Sequence, residues 1–308
     1  MTCAFLFPGQ AAQRVGMMTD FIEDYPVVRL SLERISDETS TDIISLCLTA
    51  DARTLNDGKL SGLLVVASSV ALFHLARQEG LTADAYAGYS VGQYTALYAS
   101  GMLSLEEMLA VLTERQTALD DAAKMQASCM VAVLGVPLEK VIEIVTAFDG
   151  AAISNFNCPN NYSVACHVRD ADALVARFTE ADAVRALRLP VVGGWHSHFM
   201  LPAAHAIRPS LEGLALQAAN GLFVDNVSGH ALSDPEEIRS ALFEHVYRPV
   251  QWEQSMRLLF KKGFTTFVEL GYGDQLSRFV KFTDRKKQVF PTGNVQRFEH
   301  VISAVNVD

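Results

Sequence analysis

The chain has few cysteines and none of the cysteine patterns that mark disulfide frameworks or metal sites. Its 308 residues include five cysteines, at positions 3, 47, 129, 158 and 166, with no C-x-x-C pair and no metal-ligand spacing. Disulfide-rich secreted domains and closed zinc sites depend on paired or clustered cysteines. We therefore expect reduced and mostly buried thiols, no bound metal, and a cytoplasmic location.

Positive charge is also scarce. The chain carries 25 Lys and Arg against 35 Asp and Glu, which gives a formal net charge of −10 at pH 7. Nucleic-acid binding relies on a broad basic surface, so this balance argues against nucleic acid as a partner. An acidic protein partner would need only a local basic patch. The densest such cluster stands near the C-terminus and is either a solvated helix face or a docking site for such a partner: Arg278, Lys281, Arg285, Lys286 and Lys287.

Long apolar runs and low-complexity segments are missing as well. Half of the chain is hydrophobic and 19% is charged, which excludes a disordered protein. No continuous apolar run has the length of a membrane span, and the start, MTCAFLFPGQ, lacks the basic region of a signal peptide. We therefore expect a globular chain without a membrane partner, in which the apolar stretch 62–79 forms a buried helix.

One short segment is typical of a nucleophilic serine. Residues 88–92, GYSVG, fit the pattern G-x-S-x-G, which marks a sharp turn from strand to helix with the serine at its tip. A side chain at either glycine would collide with the closely approaching strand and helix. The pattern predicts that Ser90 is a nucleophile. The alternative is a small-residue turn that only lets a helix pack tightly.

The order of predicted elements indicates two domains. Within residues 127–191, strand and helix patterns follow one another as β-α-β-β-α-β, which is the ferredoxin-like split unit. Strand and helix signals precede this unit and resume after it, ending in a helical tail from Gln275. We therefore expect an α/β fold with a large domain built from residues 1–126 and 192–308, and a small domain, residues 127–191, inserted between its halves.

Two histidines are candidates for the base that a serine nucleophile requires. His196 and His198 stand in VVGGWHSHFMLP, at the expected seam between the domains, where clefts form. Gly193 and Gly194 let the backbone approach another segment there. The residues alone do not choose between the two histidines, and both could equally be ordinary loop residues.

Arg115 lies on the apolar stripe of a predicted helix that opens at Ser104. It follows Val111 by four residues and Leu112 by three. A guanidinium seldom lies on a buried face without an acceptor, and its planar fork suits a carboxylate. Arg115 is therefore a candidate clamp for a substrate carboxylate. The alternatives are an internal ion pair or a side chain that extends to solvent.

Several segments together resemble one enzyme family. They occur in this order: FPGQAAQRVGM (7–17), GYSVGQYTAL (88–97), Arg115, NFNCPNN (155–161), the histidine after GGW, YRPVQW (247–252) and VELGYGDQL (268–276). The chain resembles the malonyl-CoA:acyl carrier protein transacylase family, which includes the discrete acyltransferases of polyketide synthases. The resemblance implies an α/β-hydrolase-like large domain with an inserted ferredoxin-like small domain.

The resemblance also implies roles for individual residues. Ser90 would be the acylated nucleophile and His196 its base, oriented by the main-chain carbonyl of His245. Arg115 would bind the free carboxylate of a malonyl-type group. The other implied positions are the oxyanion-hole amides of Gln10 and Val91 and the substrate-binding side chains Asn157, Tyr89 and Trp195. The basic cluster, through Arg278, Lys281 and Arg285, is then the candidate docking site for a carrier protein.

The implied reaction is a transfer in two steps. Ser90 attacks the thioester of an acyl-coenzyme A, and the acyl-serine passes its group to the phosphopantetheine thiol of an acyl carrier protein. Coenzyme A thioester is then a substrate, with no cofactor bound. Five positions depart from the family pattern, three of them at the acyl pocket: Tyr89, Gly62, Trp195, Ala11 and Tyr272. They leave the acyl group open as malonyl, substituted malonyl or another group.

The sequence is compatible with four functions. The favoured one is an acyltransferase that loads a malonyl-type group onto a carrier protein, in fatty acid or polyketide biosynthesis. The others are a hydrolase that clears acyl groups from carrier proteins, transfer of a non-malonyl group between carriers, and a non-catalytic adaptor that keeps the fold. Arg115 favours transfer over hydrolysis, because a carboxylate clamp has no use in removing simple acyl chains. Ser90, His196 and Arg115 together argue against an adaptor.

Overall fold

A computed structural model of the chain describes residues 2–10, 13–55 and 58–305, without the side chain of Lys59. The departure expected at Ala11 lies outside the described residues. The elements before the small sheet are β1 (Cys3–Phe7), α1 (Thr19–Asp24), α2 (Pro26–Thr39), α3 (Ile43–Thr49), α4 (Ala52–Leu55), α5 (Gly58–Gln78), β2 (Ala85–Gly88), α6 (Gly92–Ala99) and α7 (Leu105–Met125).

Helix α7 begins where its sequence supplies a reciprocal cap. The side chain of Ser104 accepts a hydrogen bond from the Glu107 amide at 3.1 Å, and the Glu107 carboxylate accepts one from the Ser104 amide at 3.1 Å. Two backbone donors that the first turn would leave unpaired are thus satisfied. The cap fixes where the helix starts, and therefore which of its residues face the core.

Helix α5 is the longest apolar element. The window Leu60–Gln78 is long and apolar enough to cross a membrane by length and composition, although serines, His74 and Arg77 interrupt its apolar run. Of this window, 72% is buried inside the fold, where α5 packs against α2, α6 and α7. The predicted burial of this stretch is confirmed, because a central core helix needs the same all-round apolar surface as a membrane span.

The middle of the chain forms a four-stranded antiparallel sheet with two helices. Its elements are β3 (Ser128–Leu134), α8 (Leu138–Thr146), β4 (Ala152–Cys158), β5 (Asn161–His167), α9 (Ala171–Glu180) and β6 (Arg185–Arg188). The strands lie in the order β4-β5-β3-β6. The order of elements along the chain, β-α-β-β-α-β, is the predicted one. This sheet has its own apolar core with α8 and α9.

The last third of the chain returns to the first sheet. After a short 3₁₀ turn at His198–Met200 come α10 (Leu201–Glu212), β7 (Leu222–Val224), β8 (Ala231–Leu232), α11 (Pro235–His245), α12 (Trp252–Lys261), β9 (Thr266–Glu269), α13 (Gln275–Thr283), β10 (Gln288–Pro291) and α14 (Val295–Val305). The tail from Gln275 is not helical throughout, because β10 pairs in parallel with β9 and interrupts it.

The large sheet has the strand order β10-β9-β1-β2-β7-β8. All its pairs are parallel except β7 with β8. Strand β1 is fully buried, as its uninterrupted apolar sequence CAFLF predicts for a central parallel strand. Because β1 lies between β2 and β9, the beginning and end of the chain build one sheet, and the carboxyl ends of β1 and β2 meet at one edge.

Two backbone hydrogen bonds join β4 of the small sheet to Val250 in the large part of the fold. The Phe156 amide on β4 donates to the Val250 carbonyl at 2.8 Å, and the Val250 amide donates to the Ser154 carbonyl at 2.9 Å. A shared apolar cluster surrounds this bridge and includes Tyr89 and Cys158. The bridge sets β4 beside the carboxyl end of β2, and a cleft lies between the two sheets.

Candidate active site

Ser90 lies at the tip of the tight turn that the glycine pattern predicts. Strand β2 ends at Gly88 and α6 begins at Gly92, and Ser90 has a φ of 53°, in the left-handed region. A Cβ atom at Gly88 would overlap the carbonyl of Gly92, and one at Gly92 would overlap the carbonyl of Phe7. Both glycines are therefore required sterically, and the surrounding contacts hold Ser90 in an unfavourable backbone conformation.

Asn226, which the sequence did not single out, holds this turn. Its Oδ1 accepts a hydrogen bond from the Ser90 amide at 2.8 Å, and its Nδ2 donates to the Gly88 carbonyl at 2.5 Å. Its own amide donates to Gln93 Oε1 at 2.6 Å. Asn226 is fully buried and follows β7, which pairs with β2. A polar pair directly after a strand of the large sheet, Asp225-Asn226, was the available signal.

His196 is the histidine that meets the serine. Its Nε2 lies 2.7 Å from Ser90 Oγ, and its Nδ1 donates to the main-chain carbonyl of His245 at 2.8 Å. This donation fixes the tautomer in which Nε2 is free to accept the serine proton. His198 instead starts the short 3₁₀ turn and stacks on Phe199, with ring centroids 4.2 Å apart.

Burial keeps His196 neutral. Desolvation, with a further contribution from the positive charge of Arg115, lowers the pKa of His196 to about 3, against the opposing hydrogen bond to the His245 carbonyl. The His245 ring is also fully buried, and its pKa is lowered well below its usual value. A neutral imidazole with a free Nε2 next to a serine hydroxyl is the arrangement that general-base activation requires.

Ser90 and His196 line a cavity of about 740 Å³ between the two sheets. The sequence-predicted residues Gln10, Tyr89, Asn157 and Trp195 all line this cavity. Its opposite wall comes from β3 and from the segment around β6, and is largely apolar: Met130, Ala132, Leu134, Leu187, Leu189 and Val191. The cavity therefore combines a polar end at the serine with an apolar wall, as in many small-molecule sites.

The two amides predicted for an oxyanion hole come from equivalent places on neighbouring strands. Phe7 on β1 is the register partner of Gly88 on β2. Gln10 and Val91 each follow those partners by three residues, so both stand just beyond the same edge of the sheet. Val91 directly precedes α6, where helix amides lack acceptors within the helix. The Gln10 side chain turns to α5, where its Nε2 donates to Ser61 Oγ at 3.0 Å.

Arg115 is buried on α7, as its position on the apolar stripe predicts, with 5% of its surface exposed. It lines a second cavity, of about 240 Å³, together with Val91 and Gly62. Among the described residues it forms no ion pair, and its Nε has no hydrogen-bond partner. Its guanidinium carbon lies 5.7 Å from the centre of the Tyr94 ring. Neither an internal ion pair nor extension to solvent therefore accounts for this charge.

The C-terminal basic cluster is partly tied up by contacts within the chain. Arg278 pairs with Asp274, with Nε 3.1 Å from Oδ1. The ammonium of Lys281 donates to the carbonyls of Arg285 and Lys287 at 3.2 and 2.6 Å. Arg285 itself is exposed. The cluster keeps its net positive charge, but only part of it extends freely into solvent.

In the described part of the chain, thiols and acidic groups do not assemble into a further centre. All five cysteines lie in the described part of the chain and are free and buried. Over residues 2–10, 13–55 and 58–305, no group of three or more His, Cys, Asp or Glu side chains could hold a metal ion. The chemistry that the described residues offer is therefore that of the serine, the histidine and the buried arginine.

Known proteins match nearly the full length of the chain. The family model described as acyl transferase domain matches residues 4–297. The malonyl CoA-acyl carrier protein transacylase of Bacillus subtilis (strain 168) is 29% identical over 306 residues, covering 98% of this chain and 96% of the relative. That of Escherichia coli O157:H7 is 31% identical over 284 residues, covering 90% and 91%. The crystal structure of malonyl-CoA:acyl carrier protein transacylase from Xanthomonas oryzae pv. oryzae has a TM-score of 0.94 at 29% identity, covering 99% of each chain.

Proposed function

Because the chain belongs to the acyl transferase family that includes the malonyl-CoA:acyl carrier protein transacylases, we propose that it transfers a malonyl group from coenzyme A to an acyl carrier protein. The acceptor is the phosphopantetheine thiol of the carrier. The observation that carries this proposal is the contact of 2.7 Å between Ser90 Oγ and His196 Nε2 at the end of an open cleft. Coenzyme A thioester is a substrate in this reaction, and fatty acid or polyketide biosynthesis would use its product.

In the first step, Ser90 becomes acylated. Its Oγ attacks the thioester carbonyl while its proton passes to His196 Nε2, and the carbonyl oxygen becomes an oxyanion. The amides of Gln10 and Val91 stabilise that charge, which is supported by their matched positions beyond β1 and β2. The tetrahedral intermediate collapses, the carbon–sulfur bond breaks, and the coenzyme A thiolate takes the proton from His196.

In the second step, the carrier thiol takes the acyl group. His196 accepts the proton of the phosphopantetheine thiol, and the sulfur attacks the ester carbonyl of acyl-Ser90. The ester bond breaks, and the proton returns to Ser90 Oγ, so the free enzyme is restored. The His245 carbonyl stabilises the imidazolium that forms in each step, because it accepts a hydrogen bond from His196 Nδ1 at 2.8 Å.

Arg115 selects an acyl group that carries a free carboxylate. Its charge is buried and lacks an ion-pair partner among the described residues, and a buried charge of this kind is costly unless a ligand pairs with it. Arg115 lines the second cavity together with Val91, the residue after the nucleophile. We place the distal carboxylate of acyl-Ser90 there. Asn157 and Trp195 line the main cleft, where they contact the thioester arm.

An acyl hydrolase that uses the same serine is supported less well than an acyltransferase. A hydrolase for simple acyl chains would bury apolar side chains next to its nucleophile, whereas this site has an unpaired arginine near it. A non-catalytic adaptor would have no need of a neutral histidine in contact with a serine in a left-handed conformation. The fate of the acyl group distinguishes a hydrolase and an adaptor from a transferase, and the labelling experiment below measures it.

The same proposal extends to domains, docking and location. We assign residues 1–126 and 192–308 to an α/β-hydrolase-like domain, supported by the parallel sheet that both segments share. Residues 127–191 then form a ferredoxin-like insertion, supported by their element order and separate core. Carrier docking at Arg278, Lys281 and Arg285 is supported by the charge of that cluster, and a cytoplasmic location by the five free thiols.

Intact-protein mass spectrometry after exposure to malonyl-coenzyme A tests the proposal. Wild type should gain one malonyl group and lose it when a holo-carrier protein is added, with the carrier gaining the same mass. Ser90→Ala should gain none. Ser100→Ala is the matched control, since this buried serine caps α6 through the Leu97 carbonyl and lies outside the cleft. Full labelling of Ser90→Ala would reject the assigned nucleophile.

A further inference from the structure

The hydroxyl group of Tyr89, the residue before the nucleophile, both donates and accepts a hydrogen bond within the protein. The hydroxyl donates to Asn157 Oδ1 at 2.6 Å and accepts from Asn155 Nδ2 at 2.9 Å. All three side chains are buried or nearly so and line the main cavity beside Ser90. A tyrosine hydroxyl has one proton to donate, and burial raises the pKa of Tyr89, so this proton stays in place. The hydroxyl is therefore occupied by the protein itself.

These bonds orient a longer chain of polar groups along β4. Asn155 Oδ1 accepts from Ser154 Oγ at 2.9 Å, and Asn157 Nδ2 donates to Asn161 Oδ1 at 3.1 Å. Each amide thus has its oxygen and nitrogen directed by a partner, and Tyr89 lies where the two branches meet. A buried network that is fully satisfied in this way favours one arrangement of its members.

The network crosses from one part of the fold to the other. Tyr89 belongs to the turn after β2, whereas Asn155 and Asn157 belong to β4 of the small sheet. The Tyr89 ring also packs edge-on against Trp252 of α12, with centroids 5.6 Å apart. This hydroxyl therefore links the nucleophile turn directly to β4 of the small sheet.

From this arrangement we propose that Tyr89 is a positioning residue that fixes the cleft wall at Asn155 and Asn157 and so protects acyl-Ser90 from water. The inference rests on the proposed transferase function. With the hydroxyl removed, Asn155 Nδ2 and Asn157 Oδ1 lose their partner in a buried polar site, and such groups recruit water. That water would lie beside the residue preceding Ser90. It would attack the ester carbonyl, break the bond to Ser90 Oγ and release malonate, with the serine regaining its proton.

The test compares Tyr89→Phe with Tyr98→Phe in the full chain. Tyr98 lies on α6 and its hydroxyl is bonded to His74 Nε2 at 2.7 Å, away from the cleft, so it controls for the loss of a bonded hydroxyl. Each variant is acylated once with malonyl-coenzyme A. The acyl-enzyme is then divided between hydrolysis and transfer to added pantetheine, both followed by intact mass. Amide hydrogen exchange over Ala152–Cys158 is measured in parallel.

We expect the acyl-enzyme of Tyr89→Phe to hydrolyse about tenfold faster than that of wild type, with faster exchange across β4. Asn155→Ala should change the partition in the same direction. The double variant should add little to Tyr89→Phe, because the loss of the Tyr89 hydroxyl already removes its bond to Asn155. If Tyr89→Phe does not fold, Asn155→Ala measures the same tie. A partition equal to wild type, or an equal change in Tyr98→Phe, would overturn the proposal.

Failure of the proposed function has a different signature. Wild type that takes no label from malonyl-coenzyme A would reject the transferase function. The exchange measurement would still decide whether Tyr89 ties β4 to the nucleophile turn. Unchanged exchange over β4 in both Tyr89→Phe and Asn155→Ala would reject the tie on its own.

Discussion

Replacing Arg115 by methionine separates substrate recognition from stability at one position. Methionine keeps an unbranched apolar chain along the buried stripe of α7, but it removes the charge and all the donors. If Arg115 holds the malonyl carboxylate, Arg115→Met should abolish selection for that group. Because the guanidinium has no ion pair among the described residues, the same change should leave the fold intact or make it more stable.

The loss of activity follows from two charge-assisted hydrogen bonds. Each is worth about 1.5 to 3 kcal/mol, so a bidentate contact contributes about 3 to 6 kcal/mol. The acylation efficiency with malonyl-coenzyme A should therefore fall roughly 10²- to 10⁴-fold. Acetyl-coenzyme A has no carboxylate to bind, and its acylation rate should change by less than about threefold. A structural role would lower both rates together.

Arg115→Met should lower the activity but raise the stability of the fold. The buried Nε of Arg115 lacks a partner, and an unsatisfied buried polar group costs about 1 to 3 kcal/mol. Removing it should raise the free energy of unfolding by about 1 kcal/mol or more, and the unfolding temperature by about 2 to 4 °C for each kcal/mol. Activity and stability would then be opposed at this residue, as functional sites often require.

The assay is single-turnover acylation with each thioester, read by intact mass, together with thermal unfolding. Arg208→Met is the matched control, because Arg208 is an exposed arginine on α10 that packs over Phe243. It should change neither the preference for malonyl nor the rate of acylation. Equal losses with malonyl- and acetyl-coenzyme A, or an unfolding temperature several degrees lower in Arg115→Met, would refute the reasoning and make Arg115 a structural residue.

Two further predictions concern pH and the carrier surface. Because burial and the Arg115 charge lower the pKa of His196 to about 3, acylation should show no acidic limb near the usual histidine pKa of about 6.5, and a limb there would contradict the assignment. Between about pH 3 and about 6.5, His196 binds more protons in the unfolded chain than in the folded one. The stability linked to His196 is therefore complete above this pH range and is lost as the pH falls through it. Denaturant titration at several pH values measures this loss. Reversing charge at Lys281 and Arg285 together should slow transfer to the carrier several-fold without changing self-acylation, whereas Arg29→Glu on α2 should change neither, and an unaffected transfer rate would leave the cluster as ordinary surface.

Several features of the fold could be predicted because they depend on short segments. The glycines around Ser90 follow from the sterics of one tight turn, and the structure has carbonyl groups where their Cβ atoms would be. The burial of Arg115 follows from helical periodicity over a few turns. The order of elements in residues 127–191 follows from strand and helix patterns, each within about ten residues.

Other features could not be predicted because they join distant segments. The sequence pattern left His196 and His198 equally open, and only the packing of the segment after β6 against α11 brings His196 to Ser90. Asn226 gave a weak signal, since its role depends on the pairing of β7 with β2. The strand β10 was predicted as helix, because its four residues form a strand only by pairing with β9.

By itself, the sequence determined the serine turn, the apolar face that buries an arginine, and the insertion of one α/β unit within another. Each depends on neighbours close along the chain, where backbone sterics and hydrophobic periodicity act directly. The tertiary structure decided which histidine meets Ser90, that Arg115 lines a separate cavity, and that the Tyr89 hydroxyl is bonded to β4. These depend on distances between segments far apart in the chain, which are set only when the two sheets pack together.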